Sequence, residues 1–267
     1  MPCTLAQVYE RKPSWIQREI SQPEAVLMSY FIKESGATVG AEVGVASGFS
    51  SAVLLAAMGV NSRTPALHSF DASESCYFDR SRKTGDAVKE IHGSTEGFHL
   101  DTGVTSADVT DLPPLDFIFV DASHATPWPA LDVLSLGRFL KPGGWIALDD
   151  VDMLFGKKWR IGGKNGPRDL LRAWRGPKIR YAGATSIAFL QGVTPEVMVR
   201  SVVNSLLVDW DVALSSDVQA RFLRIAEHYG SSAAERIARV FKAQRKSHRA
   251  WQPVPPPEGL LSLPEGT

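Results

Sequence analysis

Residues 38–58 read TVGAEVGVASGFSSAVLLAAM. Thr38–Val43 is small and mostly apolar, which suits a short buried strand. Gly44 to Gly48 then supply a tight turn, with Ser47, Ser50 or Ser51 placed to cap the next helix. The run SSAVLLAAM has the alanine and leucine content of a helix. Strand, glycine turn and helix in this order open a parallel α/β sheet.

The alternation continues outward on both sides. Upstream, Pro23 opens a predicted helix over PEAVLMSYFIKES, with Gly36 just past its end. Downstream, strands are expected at Leu67–Phe70 and Phe98–Leu100, with a helix across Gly85–Ile91 between them. Leu115–Val120, LDFIFV, is nearly continuous apolar sequence, as in a strand covered on both faces. A helix over Pro129–Leu140, a turn at Pro142, Gly143 and Gly144, and a strand at Trp145–Leu148 come next. A helix near Arg168–Trp174 precedes two short strands, Ile179–Ala182 and Ser186–Leu190. Residues 195–248 read as all-helical, with Val218, Phe222, Ile225 and Tyr229 spaced by three and four. The expected organisation is an N-terminal segment of turns and short apolar patches (1–22), an α/β domain with right-handed crossovers (23–192), a helical extension (193–249) and a Pro-rich tail (250–267).

Composition narrows the function. The chain has 267 residues, 44% hydrophobic and 22% charged, enough to bury a core without staples. Lysine plus arginine equals aspartate plus glutamate at 29 each, which argues against a nucleic-acid binder. No apolar run approaches the roughly 20 residues of a membrane span. The N-terminus lacks a signal-peptide core, and Cys3 and Cys76 have no metal-type spacing, so reduced thiols in the cytoplasm are expected.

Chemistry concentrates at strand ends. In a doubly wound sheet, ligands bind outside the carboxyl ends of the strands. Four expected ends carry acids: Glu42 before its glycine turn, Asp71, Asp121, and Asp149 with Asp150. Ala46 interrupts a full dinucleotide fingerprint, and no Gly-Lys-Ser/Thr completes a P-loop. An acid just before the glycines repels a pyrophosphate and suits a cationic or amino ligand instead. Asp71, at the end of the next strand, is placed to accept hydrogen bonds from a ribose diol. A tight αβ turn with a solvated acid is the competing reading.

Four stretches together, AEVGVASGFSS, HSFDAS, DFIFVDASH and LKPGGWIALDD, resemble the class I S-adenosylmethionine-dependent methyltransferases. The similarity is to small-molecule O-methyltransferases of the macrocin and catechol types, including methyltransferase domain 24, and spans residues 23–192. It implies a mostly parallel Rossmann-like sheet and methyl transfer from S-adenosylmethionine to a hydroxyl. By this resemblance Glu42 and Gly44 contact the methionine end of the cofactor and Gly48 opens the helix. Asp71 holds the ribose, the loop around Thr102–Thr105 flanks the adenine, and Asp121 borders the cofactor. In metal-dependent members, positions matching Asp121, Asp149 and Asp150 hold a divalent ion that chelates the acceptor oxygen. Three convergent carboxylates need a cation nearby, and a hard oxygen set favours Mg²⁺, Ca²⁺ or Mn²⁺ over zinc. Turn capping by Asp121 or Asp149, or a solvated Asp150, is the alternative.

One departure stands out. Macrocin-like members read Asp-Gly-Asp-His where this chain has Asp121-Ala122-Ser123-His124. Serine is a poor base, which leaves His124 as the candidate catalytic base. From Lys157 to Arg180 there are nine basic residues and one acid, Asp169. This insert is either a lid suited to an anionic small-molecule acceptor or a solvated loop and helix face. Arg236 to Arg249 reads as the polar face of the last helix. Competing functions are a non-catalytic cofactor-binding scaffold and a nicotinamide-dependent oxidoreductase. The C-terminal helices are expected on their own domain or on a second copy in a homo-oligomer.

Overall fold

A computed structural model describes residues 3–16, 19–152, 165–181 and 185–250, with side chains to 244. Residues 157–164 of the basic insert, the expected strand end Ala182 with Gly183, and the tail from 251 lie outside the described residues.

Seven strands form one sheet: β1 Val39–Val43, β2 Ala66–Asp71, β3 Phe98–Thr102, β4 Leu115–Val120, β5 Leu140–Leu148, β6 Lys178–Arg180 and β7 Ala188–Gln191. Their order is β3-β2-β1-β4-β5-β7-β6, with β7 antiparallel to both neighbours and every other pairing parallel. This is the doubly wound, mostly parallel architecture expected from the sequence. The order reverses at β1, which pairs with β2 on one side and β4 on the other. A crevice therefore opens beyond Val43, between the turns leaving β1 and β4.

The helices are α1 Leu5–Glu10, α2 Gln22–Ser35, α3 Phe49–Met58, α4 Asp86–His92, α5 Trp128–Gly137, α6 Gly166–Ala173, α7 Pro195–Ser205, α8 Ser216–Glu227 and α9 Ser231–Ala250. The N-terminal segment is more ordered than its turn-rich sequence suggests. Thr4 and Gln7 close a capping box on α1, and Val8 is buried. A second capping box, Ser21 with Glu24, starts α2, and Gly36 ends it in the left-handed region.

The sequence places a turn at 142–144 and extends the preceding helix to Leu140. Instead α5 stops at Gly137, and β5 begins at Leu140 with an irregular register against Leu115 and Phe117. The reason is a close approach. A side chain at Gly144 would meet Leu140 at 2.7 Å and the Asp116 carbonyl at 2.9 Å, so the glycine lets β5 stay against β4.

Alternation along the strands divides the core between two faces. Ile118 and Val120 of β4 pack on one face with Leu134 of α5. Val202, Phe222, Ile237 and Phe241 of the C-terminal helices join the same cluster. Phe117 and Phe119 pack on the other face, with α2 and α3. All ten residues of α3 are buried, so the turn feeding it is held from below.

Candidate functional site

The turn after β1 alternates through the left-handed region, with φ of 89° at Gly44, 47° at Ala46 and 89° at Gly48. Ala46 pays a steric cost there that glycine avoids. Asp71 offsets it: its Oδ2 accepts from the backbone N–H of Val45 (2.9 Å) and Ala46 (3.0 Å). Its Oδ1 accepts from Ser73 N–H (2.8 Å). The acid expected to hold a ribose thus also latches the turn, while still facing the cleft.

Glu42 is fully buried and is not among the residues lining the cleft. Its carboxylate accepts from the hydroxyls of Ser50 (2.6 Å), Ser51 (2.5 Å) and Ser69 (2.8 Å). Burial pushes it up to about 7 against the lowering effect of the three hydroxyls. The two serines read as helix caps therefore serve Glu42, while Gly48 occupies the cap position with no side-chain bond. Of this group only Ser50 reaches the cleft wall. Gly48 and Thr102 do not line it either, whereas Val104 and Thr105 of the expected Thr102–Thr105 loop do, together with Ser106.

The cleft holds about 1020 Å³. Seven carboxyl residues line it: Glu19, Glu24, Asp71, Asp121, Asp132, Asp149 and Asp150. Among the described lining residues the one basic side chain is His124. Its Nε2 lies 3.1 Å from Asp150 Oδ2 and 3.5 Å from Asp121 Oδ1. Although burial opposes the charge, hydrogen bonding and attraction to those two carboxylates push the imidazole up to about 10. Near neutrality it is an imidazolium, not the neutral ring that a base requires.

Asp121, His124 and Asp150 each offer one ligand atom within 4.8 Å of the others. Asp150 reaches this group because the chain leaves β5 after Leu148 and turns at φ 56°. Ser186 helps hold that turn. Its carbonyl accepts from Val151 N–H, and its hydroxyl lies 3.3 Å from Asp150 Oδ1 and 3.1 Å from Glu24 Oε1. Asn165 caps α6 with its Oδ1 and donates its Nδ2 to the Asp150 carbonyl at 2.7 Å.

Asp149 lines the cleft but stands outside the three-residue group. It is 8% exposed and its Oδ1 has no hydrogen-bond partner. Burial, with Asp121, Asp150 and Glu24 nearby, holds it well above the usual carboxylate range. Two oxygens and an imidazole nitrogen, backed by an unpaired carboxylate oxygen, fit a divalent ion.

Three acids in this cleft escape sequence reasoning. Glu24 is visible as part of a helix start, but its reach to Ser186 is tertiary. Glu19 accepts from Ser47 Oγ at 2.6 Å, and burial is the main reason it is pushed up to about 7. Nothing local marks it. Asp132 does leave a trace, as a lone acid inside the apolar run of α5.

Residues 41–151 match the model of a family described as a methyltransferase domain. No curated protein sequence matches the chain. Among solved structures, the fold is similar to a methyltransferase from Podospora anserina bound to S-adenosylhomocysteine, with TM-score 0.54 and 15% identity. That match covers 73% of this chain and 89% of the other. It is also similar to an O-methyltransferase of Streptomyces achromogenes involved in tomaymycin synthesis, in complex with S-adenosylmethionine. There the TM-score is 0.50 and the identity 18%, covering 71% of this chain and 89% of the other.

Proposed function

We propose that this chain, which carries a class I methyltransferase domain, transfers a methyl group from S-adenosylmethionine to a hydroxyl of a small molecule. The observation that carries the reading is the acid-lined cleft at the point where the strand order reverses, with the Asp71-latched glycine turn at its wall. S-adenosylmethionine brings a sulfonium and an ammonium, and such a wall favours both. The same wall disfavours the pyrophosphate of a nicotinamide cofactor. Asp71 keeps acceptor capacity for the ribose hydroxyls beyond its three backbone bonds.

Transfer is an in-line displacement. The acceptor oxygen attacks the methyl carbon, the sulfur keeps the bonding pair as a neutral thioether, and the acceptor loses its proton. Alignment of the two reacting atoms is worth up to ~7–11 kcal/mol. Asp121, Asp150 and His124, with Asp149 behind them, would hold a divalent ion such as Mg²⁺, which when bound polarises an acceptor hydroxyl and lowers its pKa. The single Nε2 lone pair of His124 cannot serve both an ion and a proton, so His124 takes up the acceptor proton only as a neutral ring, released from Asp121 and Asp150, with the carboxylates holding the ion without it. The described wall offers an anionic acceptor no lysine or arginine. A neutral or cationic acceptor suits it better. Two buried, unpaired thiols agree with a cytoplasmic enzyme; among the described residues no helix is long and apolar enough to cross a membrane.

The test is calorimetry with S-adenosylhomocysteine and with NAD, then transfer from methyl-labelled S-adenosylmethionine to a panel of phenols and sugars with and without chelator. Micromolar binding of the first and none of the second is expected, with label transfer that chelator suppresses. Binding without transfer on any acceptor would favour a cofactor-binding scaffold. Binding of NAD alone would overturn the reading.

A further inference from the structure

Asp132 sits in α5 and is 2% exposed, yet it forms part of the cleft wall. Its Oδ1 accepts from the Ser106 hydroxyl at 2.6 Å. Its Oδ2 is buried and has no hydrogen-bond partner among the described residues. A simple Asp–Ser pair leaves that second oxygen unexplained, because a desolvated acceptor without a donor costs free energy. Phe70, Val104 and Trp128 line the same cleft, so its wall offers apolar and aromatic surface besides the acids. Such a wall suits a flat ring with a hydrogen-bond donor on its edge.

The inference rests on the cofactor reading above. With the methionine end toward the turn and the Asp121 group, and the ribose at Asp71, the base falls to the remaining end of the cleft. We propose that Asp132 is the residue that reads the purine edge, its Oδ2 accepting a hydrogen bond from the exocyclic 6-amino group. Ser106 fixes which oxygen is left free for the base. With the carboxylate ionised, the site thereby selects a 6-amino over a 6-oxo purine, since a carbonyl in that place would set two acceptors against each other.

The experiment compares S-adenosylhomocysteine with S-inosylhomocysteine by calorimetry on the full chain. Wild type should prefer the adenosine form by about tenfold or more. Asp132→Asn should bring the ratio to one or invert it, because Ser106 retains the amide oxygen and the Nδ2 then faces the base. Asp132→Ser, smaller and without a second acceptor oxygen, is the second variant and should also lose the preference. Ser106→Ala should keep it. Equal affinity of wild type for both compounds, or a parallel loss in the variants with the ratio unchanged, overturns the role of Asp132. Failure of wild type to bind either compound overturns the cofactor reading itself, and this inference with it.

Discussion

The carbonyl of Asp121 occupies the place where a side chain on Gly44 would begin. The turn leaving β1 and the turn leaving β4 are packed backbone to backbone, at φ 89° for the glycine. Gly44 is thus required twice, for its conformation and for the contact. Gly44→Ala should cost more than about 2 kcal/mol, from left-handed strain plus overpacking. It should also weaken S-adenosylhomocysteine binding at least tenfold, because Asp121 has to move. Denaturant melts and calorimetry check both, and unchanged values in the variant would mean that the two turns are not held in close contact in solution.

Glu42 is expected to act on stability before affinity. Glu42→Ala leaves three buried hydroxyls without their acceptor, at ~1 kcal/mol or more for each lost bond. Glu42→Gln keeps an acceptor and tests the charge. The folded carboxyl titrates near 7, above its ordinary 4.5. A raised value means that its contribution is fully present below about 4.5 and is lost as the pH rises through 7. The glutamine variant should therefore gain on wild type between pH 5 and 8 in thermal melts. A constant difference across that range would place the titration elsewhere.

Residues 38–58 and LDFIFV made the sheet legible because a buried parallel strand needs a continuous apolar run and its turn needs glycine. The acids at strand ends were legible for a related reason, since the chain alternates between apolar strand and polar exit. The hidden features are those that depend on distance in space. The three serines around Glu42 come from α3 and β2, so the same residues that could cap a helix serve a buried carboxylate instead. Glu24 lies 162 positions from Ser186, and no local pattern joins them. The geometry also changes the role of Asp149: consecutive with Asp150, it does not join the Asp121–His124–Asp150 group.

His124 should report its surroundings directly. Its ring, set between Asp121 and Asp150, should titrate near 10 in metal-free protein, against an ordinary 6.5. The ring resonances tracked by NMR from pH 6 to 11 measure this. Asp150→Asn removes one of the two charges and should bring the midpoint down, while added Mg²⁺ should lower it as well by competing for the carboxylates. A midpoint near 6.5 in the metal-free wild type would mean that the ring is free of both aspartates, and would return it to the role of a ready base.

Asp149 is a buried carboxyl with one unpartnered oxygen, raised by desolvation first and then by Asp121, Asp150 and Glu24. A raised carboxyl contributes fully at low pH and loses that contribution as it ionises, so at neutral pH and above it opposes folding. Asp149→Asn is nearly isosteric and cannot ionise. In metal-free protein the variant should melt higher than wild type at pH 8, and the gain should vanish as the pH falls toward 4. Addition of Mg²⁺ or Mn²⁺ should stabilise wild type more than the variant, since a bound ion stabilises only the folded form and the variant offers it a weaker acceptor. Methyl transfer should fall at least 10²-fold while S-adenosylhomocysteine affinity stays within a few-fold, separating loss of chemistry from loss of the cofactor site. Equal melting of variant and wild type at pH 8, with equal response to the ions, would mean that the carboxylate is paired in solution and that the metal reading has lost its backing oxygen.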